Sequence, residues 1–233
     1  MINRRIVIGD IHGCYCTLKA LMEKKVKPSQ EDQLYFVGDL IDRGPRSREV
    51  LEYIIQLMWQ GYNIYPVRGN HEDMLLNAIE DECFLQTWFI NGAEDTLRSF
   101  EIPDNLISDF DVIKHIPDAY IQFMMTLPYY YDLGDYIVVH AGFNFNSEDI
   151  FGDINAMLWS RRMNYQANKI DNKTIIHGHT PIPLINIKPV ISKKENKILN
   201  IDAGCVYKNV PGYGKLAALD LDNRELFIQA NVD

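Results

Sequence analysis

The sequence predicts an α/β protein with two stacked β-sheets and helices on the outside. Through its first third, short apolar runs alternate with amphipathic helical patterns, the sign of βαβ units around a largely parallel sheet. From residue 129 onward strand-like segments dominate instead, which calls for a second sheet. There are no repeats, low-complexity tracts or Pro/Gly/Ser-rich linkers, and 233 residues at 47% hydrophobic can bury a full core. A single domain over 1–233 is therefore expected.

Arg5 to Ile8 reads as a short buried strand, and Leu18, Leu21, Met22 and Val26 then follow helical spacing. Leu34 to Val37 is a second strand. Val50, Leu51, Ile54, Ile55 and Met58 mark an amphipathic helix that Gly61 can stop. Ile64 to Val67 is a third strand, with a helix near Met74 to Ile79, and residues 83–127 read as helical but less regular. Tyr129 to Leu133 and Tyr136 to Val139 flank a Gly134-Asp135 turn, a hairpin signal. Further strands are expected at 174–177, 183–187, 197–201, 215–221 and 225–229.

A formal net charge of -9 argues against a protein that grips a nucleic-acid polymer through its phosphates. It does not exclude a small anionic substrate, because bound cations can dominate a local field. No apolar run is long enough to span a bilayer. Met1 to Asp10 passes from two arginines straight into a strand, without the features of a signal peptide. Cys14, Cys16, Cys83 and Cys205 form no disulfide framework, and Cys14 and Cys16 are expected as packing residues. A cytoplasmic protein with no membrane partner is expected; the oligomeric state is left open.

Ligand-type residues follow strands five times over. They are Gly9-Asp10-Ile11-His12-Gly13, Gly38-Asp39-Leu40-Ile41-Asp42-Arg43-Gly44, Gly69-Asn70-His71-Glu72, His140-Ala141-Gly142 and His177-Gly178-His179-Thr180. Each alone reads as a turn, a helix cap or a satisfied histidine. All five in order, at the strand ends where α/β proteins place their sites, point to one centre. Phosphate-ester hydrolysis at neutral pH needs a strong nucleophile and neutralisation of the phosphoryl oxygens, which two cations can supply together. Such a pair takes mixed oxygen and nitrogen ligands and a carboxylate able to bridge.

In this order the motifs resemble the phosphoprotein phosphatase group of the calcineurin-like metallophosphoesterases, and more closely its compact bacterial and phage members. Ile201 to Tyr207 and Gly214 to Leu221 extend the likeness toward the C-terminus. The resemblance implies a sandwich of two mixed β-sheets flanked by helices, with metals at one edge. It implies that Asp10 and His12 bind one metal, that Asp39 bridges, and that Asn70, His140 and His179 bind the second. His71 becomes the proton donor to the leaving group, oriented by Asp42. Arg43 and Arg68 hold phosphate, and Leu158-Trp159-Ser160-Arg161-Arg162 supplies a third arginine, Arg161 or its neighbour Arg162. Two divalent ions are implied, Mn²⁺ first, with Fe or Zn²⁺ as alternatives.

From this resemblance the expected activity is a metal-dependent phosphomonoesterase, a serine/threonine or dual-specificity protein phosphatase acting on phosphorylated proteins or peptides. A metal-activated water would attack directly in line. The alternative is a symmetrical bis(5'-nucleosyl)-tetraphosphatase. It ranks second because those enzymes tend to be longer than 233 residues and nothing here reads as a purine clamp, although Trp88, Phe89 and Tyr213 could stack on a base. A catalytically dead binding module would lack a ligand or the acid, and every key position is filled.

Overall fold

The computed structural model describes residues 3–107 and 110–233. Met1 and Ile2, at the head of the N-terminal reading, and Ser108 and Asp109, inside the helical stretch 83–127, lie outside the described residues. The first third runs β1 (Arg5–Ile8), α1 (Tyr15–Leu21), β2 (Gln33–Phe36), α2 (Ser47–Trp59), β3 (Asn63–Pro66) and α3 (Asn70–Glu80). The helical stretch follows as α4 (Leu85–Ile90), α5 (Ala93–Ser99), α6 (Asp104–Ile107) and α7 (Asp118–Met125). Then come β4 (Tyr130–Asp132), β5 (Tyr136–Val139), α8 (Ile154–Trp159), β6 (Thr174–His177), α9 (Leu184–Ser192), β7 (Ile198–Asn200), β8 (Lys215–Asp220) and β9 (Leu226–Ala230).

The expected pair of mixed sheets is present. One has the order β3-β2-β1-β8-β9, with β1, β2 and β3 parallel and β8 and β9 antiparallel. The other has the order β4-β5-β6-β7, with β4 antiparallel to three parallel strands. Side chains alternate across a strand, so Val7 joins Val138, Ile176 and Leu219 between the sheets while Ile6 and Ile8 pack among Leu18, Leu21 and Leu51 beneath the helices. Cover on both faces is why β1 reads as an unbroken apolar run. Among the described residues no helix is long and apolar enough to cross a membrane.

The parallel strands bring the loops after β1, β2 and β3 to one edge of the first sheet. The loops after β5 and β6 reach the same edge. Gly178 N–H donates to the His140 carbonyl at 2.8 Å, and the Val37 carbonyl accepts from His140 Nδ1 at 2.7 Å, which ties the two sheets together there.

One expected strand is a helix. The apolar run at 183–187 lies at the start of α9, where Ile187 and Ile191, four apart, are both buried and Ile185 is exposed. Burying two isoleucines contributes about 1.5–3 kcal/mol each. That offsets the roughly 3 kcal/mol that Pro189 costs inside a helix.

Candidate metal centre

The loops at this edge depart sharply from their strands. His12, Asp39, Asp42, Arg43 and His179 all hold left-handed backbone, with φ of 47°, 50°, 70°, 69° and 69°. Non-glycine residues occupy that region rarely, and such strain persists where the surroundings over-determine it. Gly178 is required by close approach, since any side chain there would collide with the Asp10 carboxylate.

Asp39 lies at the middle. Its Oδ1 is 3.4 Å from His140 Nε2, and its Oδ2 is 3.5 Å from His12 Nε2 and 3.9 Å from His71 Nε2. Two groups able to hold a cation result, His12–Asp39–His71 and Asp39–His140–His179, sharing this one carboxylate. Asn70 Oδ1 completes the second side, 2.8 Å from His140 Nε2 and 2.9 Å from His179 Nδ1. Asp10 is buried alongside and accepts the His179 N–H at 2.9 Å on Oδ2.

The donor set, mixed carboxylate oxygen and imidazole nitrogen, fits two divalent transition-metal cations. His12 Nδ1 lies 3.0 Å from the Ile41 carbonyl and His140 Nδ1 lies 2.7 Å from that of Val37. A carbonyl only accepts, so each Nδ1 carries the proton and each Nε2 turns a lone pair inward. Asp10 Oδ1, His71 Nε2 and His179 Nε2 are buried without a hydrogen-bond partner. Buried polar atoms are almost always paired, so three unpaired ones in a single edge mark a ligand's place.

The electrostatics agree. Burial pushes the Asp39 carboxyl up, but the surrounding histidines, His140 first, outweigh it and hold it well below the usual range. Burial drives His12 and His140 down, and takes His179 to about 3 with help from His140 and Arg161. His71 moves the other way. Burial opposes its charge, yet Asp39 and the hydrogen bond to Asp42 raise it.

His71 Nδ1 donates to Asp42 Oδ2 at 2.7 Å. Two residues outside the motifs complete that arrangement. Trp88 Nε1–H donates to both Asp42 oxygens, at 2.9 and 3.1 Å, and Thr96 Oγ1–H donates to Oδ1 at 2.6 Å. Trp88 is fully buried, so it cannot stack on a base, a role the sequence had left open to it. Glu72 was a third omission. Its carboxylate accepts the N–H groups of Gly69, Asp39, Leu40 and Ile41 at 2.7–3.3 Å, clamping the bridging loop to the start of α3. Glutamate at the third position of a helix is a capping signal the sequence did carry.

The arginines differ in how they are held. Arg43 Nη1 donates to His12 Nε2 at 2.9 Å, across the mouth of the centre. Arg68 donates to Tyr129 Oη at 3.1 Å and the Met125 carbonyl at 2.9 Å, and pairs with Asp73 at 3.5 Å. Arg161 and Arg162 are both exposed. The charge of Arg161 bears on His179, whereas Arg162 lines a cavity beyond Trp159. His177 stays outside the centre, its Nδ1 against the Gly178 carbonyl at 3.1 Å and burial taking it down to about 4. Cys14 packs in the core, as expected.

The profile of the calcineurin-like phosphoesterases matches residues 4–208. The bis(5'-nucleosyl)-tetraphosphatase PrpE [asymmetrical] of Bacillus subtilis (strain 168) is 29% identical over 87% of this chain and 86% of its own length. Its counterpart from Bacillus velezensis (strain DSM 23117 / BGSC 10A6 / LMG 26770 / FZB42) is 31% identical over 87% and 85%. Among solved structures, one provisionally named a diadenosine tetraphosphatase superposes with TM-score 0.66 at 20% identity, covering 99% of this chain and 95% of that one. A protein serine/threonine phosphatase from Saccharomyces cerevisiae gives TM-score 0.63 at 19% identity, covering 98% and 79%.

These relatives overturn the expectation of a protein phosphatase acting on phosphorylated proteins or peptides. They match nearly end to end and carry the name of a nucleotide hydrolase. The argument from length holds for the symmetrical enzymes, since the one from Dechloromonas aromatica (strain RCB) is matched over 58% of this chain but only 42% of its own length. It does not reach the asymmetrical ones, since mutual coverage of 87% and 86% makes the B. subtilis relative about as long as this chain. The physical reason is that the motifs report on the phosphate and its cations, which phosphoesters and phosphoanhydrides share. Beyond a proton donor for the departing oxygen, they say nothing of the group that leaves.

Proposed function

The chain belongs to the calcineurin-like phosphoesterase family, and from that membership we propose that it is an asymmetrical dinucleoside tetraphosphate hydrolase. Water would break one phosphoanhydride bond of a bis(5'-nucleosyl) tetraphosphate, leaving a nucleoside triphosphate and a nucleoside monophosphate. The observation that carries this reading is the near end-to-end similarity to relatives of that name.

In this reading Asp10 and His12 hold one cation, Asn70, His140 and His179 hold a second, and Asp39 serves both. Two divalent cations, Mn²⁺ by preference, would activate a water and neutralise charge on the phosphoryl oxygens. Arg43 at the mouth and Arg161 beside His179 take the remaining phosphate charge, for which a planar guanidinium fork is suited. Arg68 serves as a third contact from its anchorage on Tyr129. Arg161 is preferred to Arg162 because its charge bears on His179. His71, whose charged form Asp39 and Asp42 favour, would give its Nε2 proton to the departing phosphate oxygen. The whole chain is read as one catalytic domain. Four free cysteines suit a reducing cytoplasm.

The test follows diadenosine tetraphosphate with Mn²⁺ and separates the products by ion exchange. ATP and AMP in equal amounts are expected. Two molecules of ADP would mark symmetrical cleavage, and an intact nucleotide would overturn the assignment.

A further inference from the structure

We propose that the cavity beside Trp159 receives the base of a nucleotide whose phosphates lie at the metal centre, a subsite that rests on the tetraphosphatase reading. The cavity measures about 470 Å³ and opens between the loop after β5, helix α8 and residues 160–164. That volume falls within the roughly 300–1,000 Å³ of small-molecule pockets.

Its place is the first argument. The Trp159 ring meets His179 edge-on, centroids 6.0 Å apart, and also lines the cavity. Met163, another lining residue, packs so closely over Gly142 that any side chain at that position would collide with it. Gly142 is two residues from His140. Arg162 lines the cavity, and its exposed neighbour Arg161 puts a second cation on the same segment.

Its chemistry is the second. Trp159 is 36% exposed and lines the cavity, an indole of the kind on which bases stack. Asn144, Asn155 and Asn164 bring side-chain amides, each pairing a donor with an acceptor as the adenine N6/N7 edge requires. Asn144 is already fixed, its Nδ2–H donating to Asp153 at 3.0 Å and its Oδ1 accepting from Asn146 N–H at 3.1 Å.

The other cavities fit less well. One of about 480 Å³ shares Trp159 but is lined by no lysine or arginine, and its Asp73 is paired with Arg68, so nothing there attracts a phosphate chain. The cationic one near Lys194, Lys197 and Arg224 adjoins the Gly134-Asp135 turn, at the opposite end of β5 from His140. The apolar groove between α2 and α7 shares no residue with the centre.

Calorimetric titration of the full chain with Mn²⁺ tests this, using adenosine 5'-monophosphate and ribose 5-phosphate as probes. The base should tighten binding at least tenfold, about 1.4 kcal/mol. Asn155→Leu and Asn164→Leu, both at exposed positions, should each reduce that preference severalfold with the unfolding temperature unchanged. Equal affinities for the two probes, or a preference untouched in both variants, overturns the subsite. Hydrolysis of diadenosine tetraphosphate without a base preference sinks the subsite and leaves the tetraphosphatase reading standing. A base preference without hydrolysis does the reverse.

Discussion

His71 Nδ1 lies 2.7 Å from Asp42 Oδ2, and both side chains are sealed from solvent. With Trp88 and Thr96 also donating, the Asp42 carboxyl meets hydrogen-bond donors from three elements. Asp42 therefore cannot turn, and neither can the imidazole it holds. The free Nε2 of His71 faces Asp39, 3.9 Å away, where a leaving oxygen would need a proton.

Trp88→Phe should show how much of that orientation the indole supplies. The change keeps an aromatic ring in a fully buried slot and removes the N–H donor, along with enough volume to leave a small cavity that an unfolding measurement reads separately. A hydrogen bond to a charged group is worth about 1.5–3 kcal/mol, so kcat should fall roughly 10- to 100-fold. Metal content, read by atomic absorption, should stay at the wild-type level. A variant with full kcat would show that Thr96 and His71 suffice to hold Asp42.

Asp39→Asn should be the most damaging change at the centre, because one carboxylate faces both groups of potential ligands. Even residues that only support metal ligands cost about 10- to 100-fold on mutation, so the loss here should exceed that. Metal stoichiometry should drop for both ions at once. Loss of a single ion with the other retained would contradict a bridging role.

Much of this site was legible because residue types and strand ends are local facts. Asp10, His12, Asp39, Asn70, His140 and His179 sit within a few residues of apolar strands, and the parallel pattern implies a shared edge. Trp88 and Thr96 were not legible, since they reach Asp42 from 46 and 54 residues away through helices whose packing has no short-range mark. The left-handed backbone of His12, Asp39 and Asp42 left no sign either, as none is glycine. In α9, a short apolar run mimicked a strand until the burial of Ile187 and Ile191 at helical spacing decided otherwise. Substrate was the largest miss, because no motif reaches past the departing oxygen to the group it belongs to.

Acid should expose a second, purely structural pair. Asp32 is almost fully buried and accepts from Arg4 Nη2 at 2.7 Å and Ser29 N–H at 2.8 Å. Burial pushes its carboxyl up, but Arg4 and Ser29 outweigh it and bring it down to about 2. A depressed carboxylate contributes stability above its unfolded value near 3.9 that is lost as pH falls through the folded one. Asp32→Asn should therefore cost about 2 kcal/mol at pH 7, and the deficit should close between about pH 4 and 2. Urea unfolding of both proteins across that range measures it. A deficit that stays constant with pH would assign the loss to packing.

The sharpest prediction concerns His71 and the group that leaves. If its Nε2 gives up a proton as the bond breaks, the benefit must grow with the basicity of the departing oxygen. A departing phosphate has a second pKa near 6 and needs little help, whereas an alkoxide needs a great deal. His71→Asn should thus lose only about 10-fold on diadenosine tetraphosphate but roughly 10²–10⁴ on an alkyl phosphate. An activated aryl phosphate should fall between. Metal content must be measured beside each rate, because His71 Nε2 also stands in one of the two groups able to hold a cation. A uniform loss across the three substrates with metal retained would remove His71 from the acid role. A uniform loss with one ion missing would make it a ligand instead.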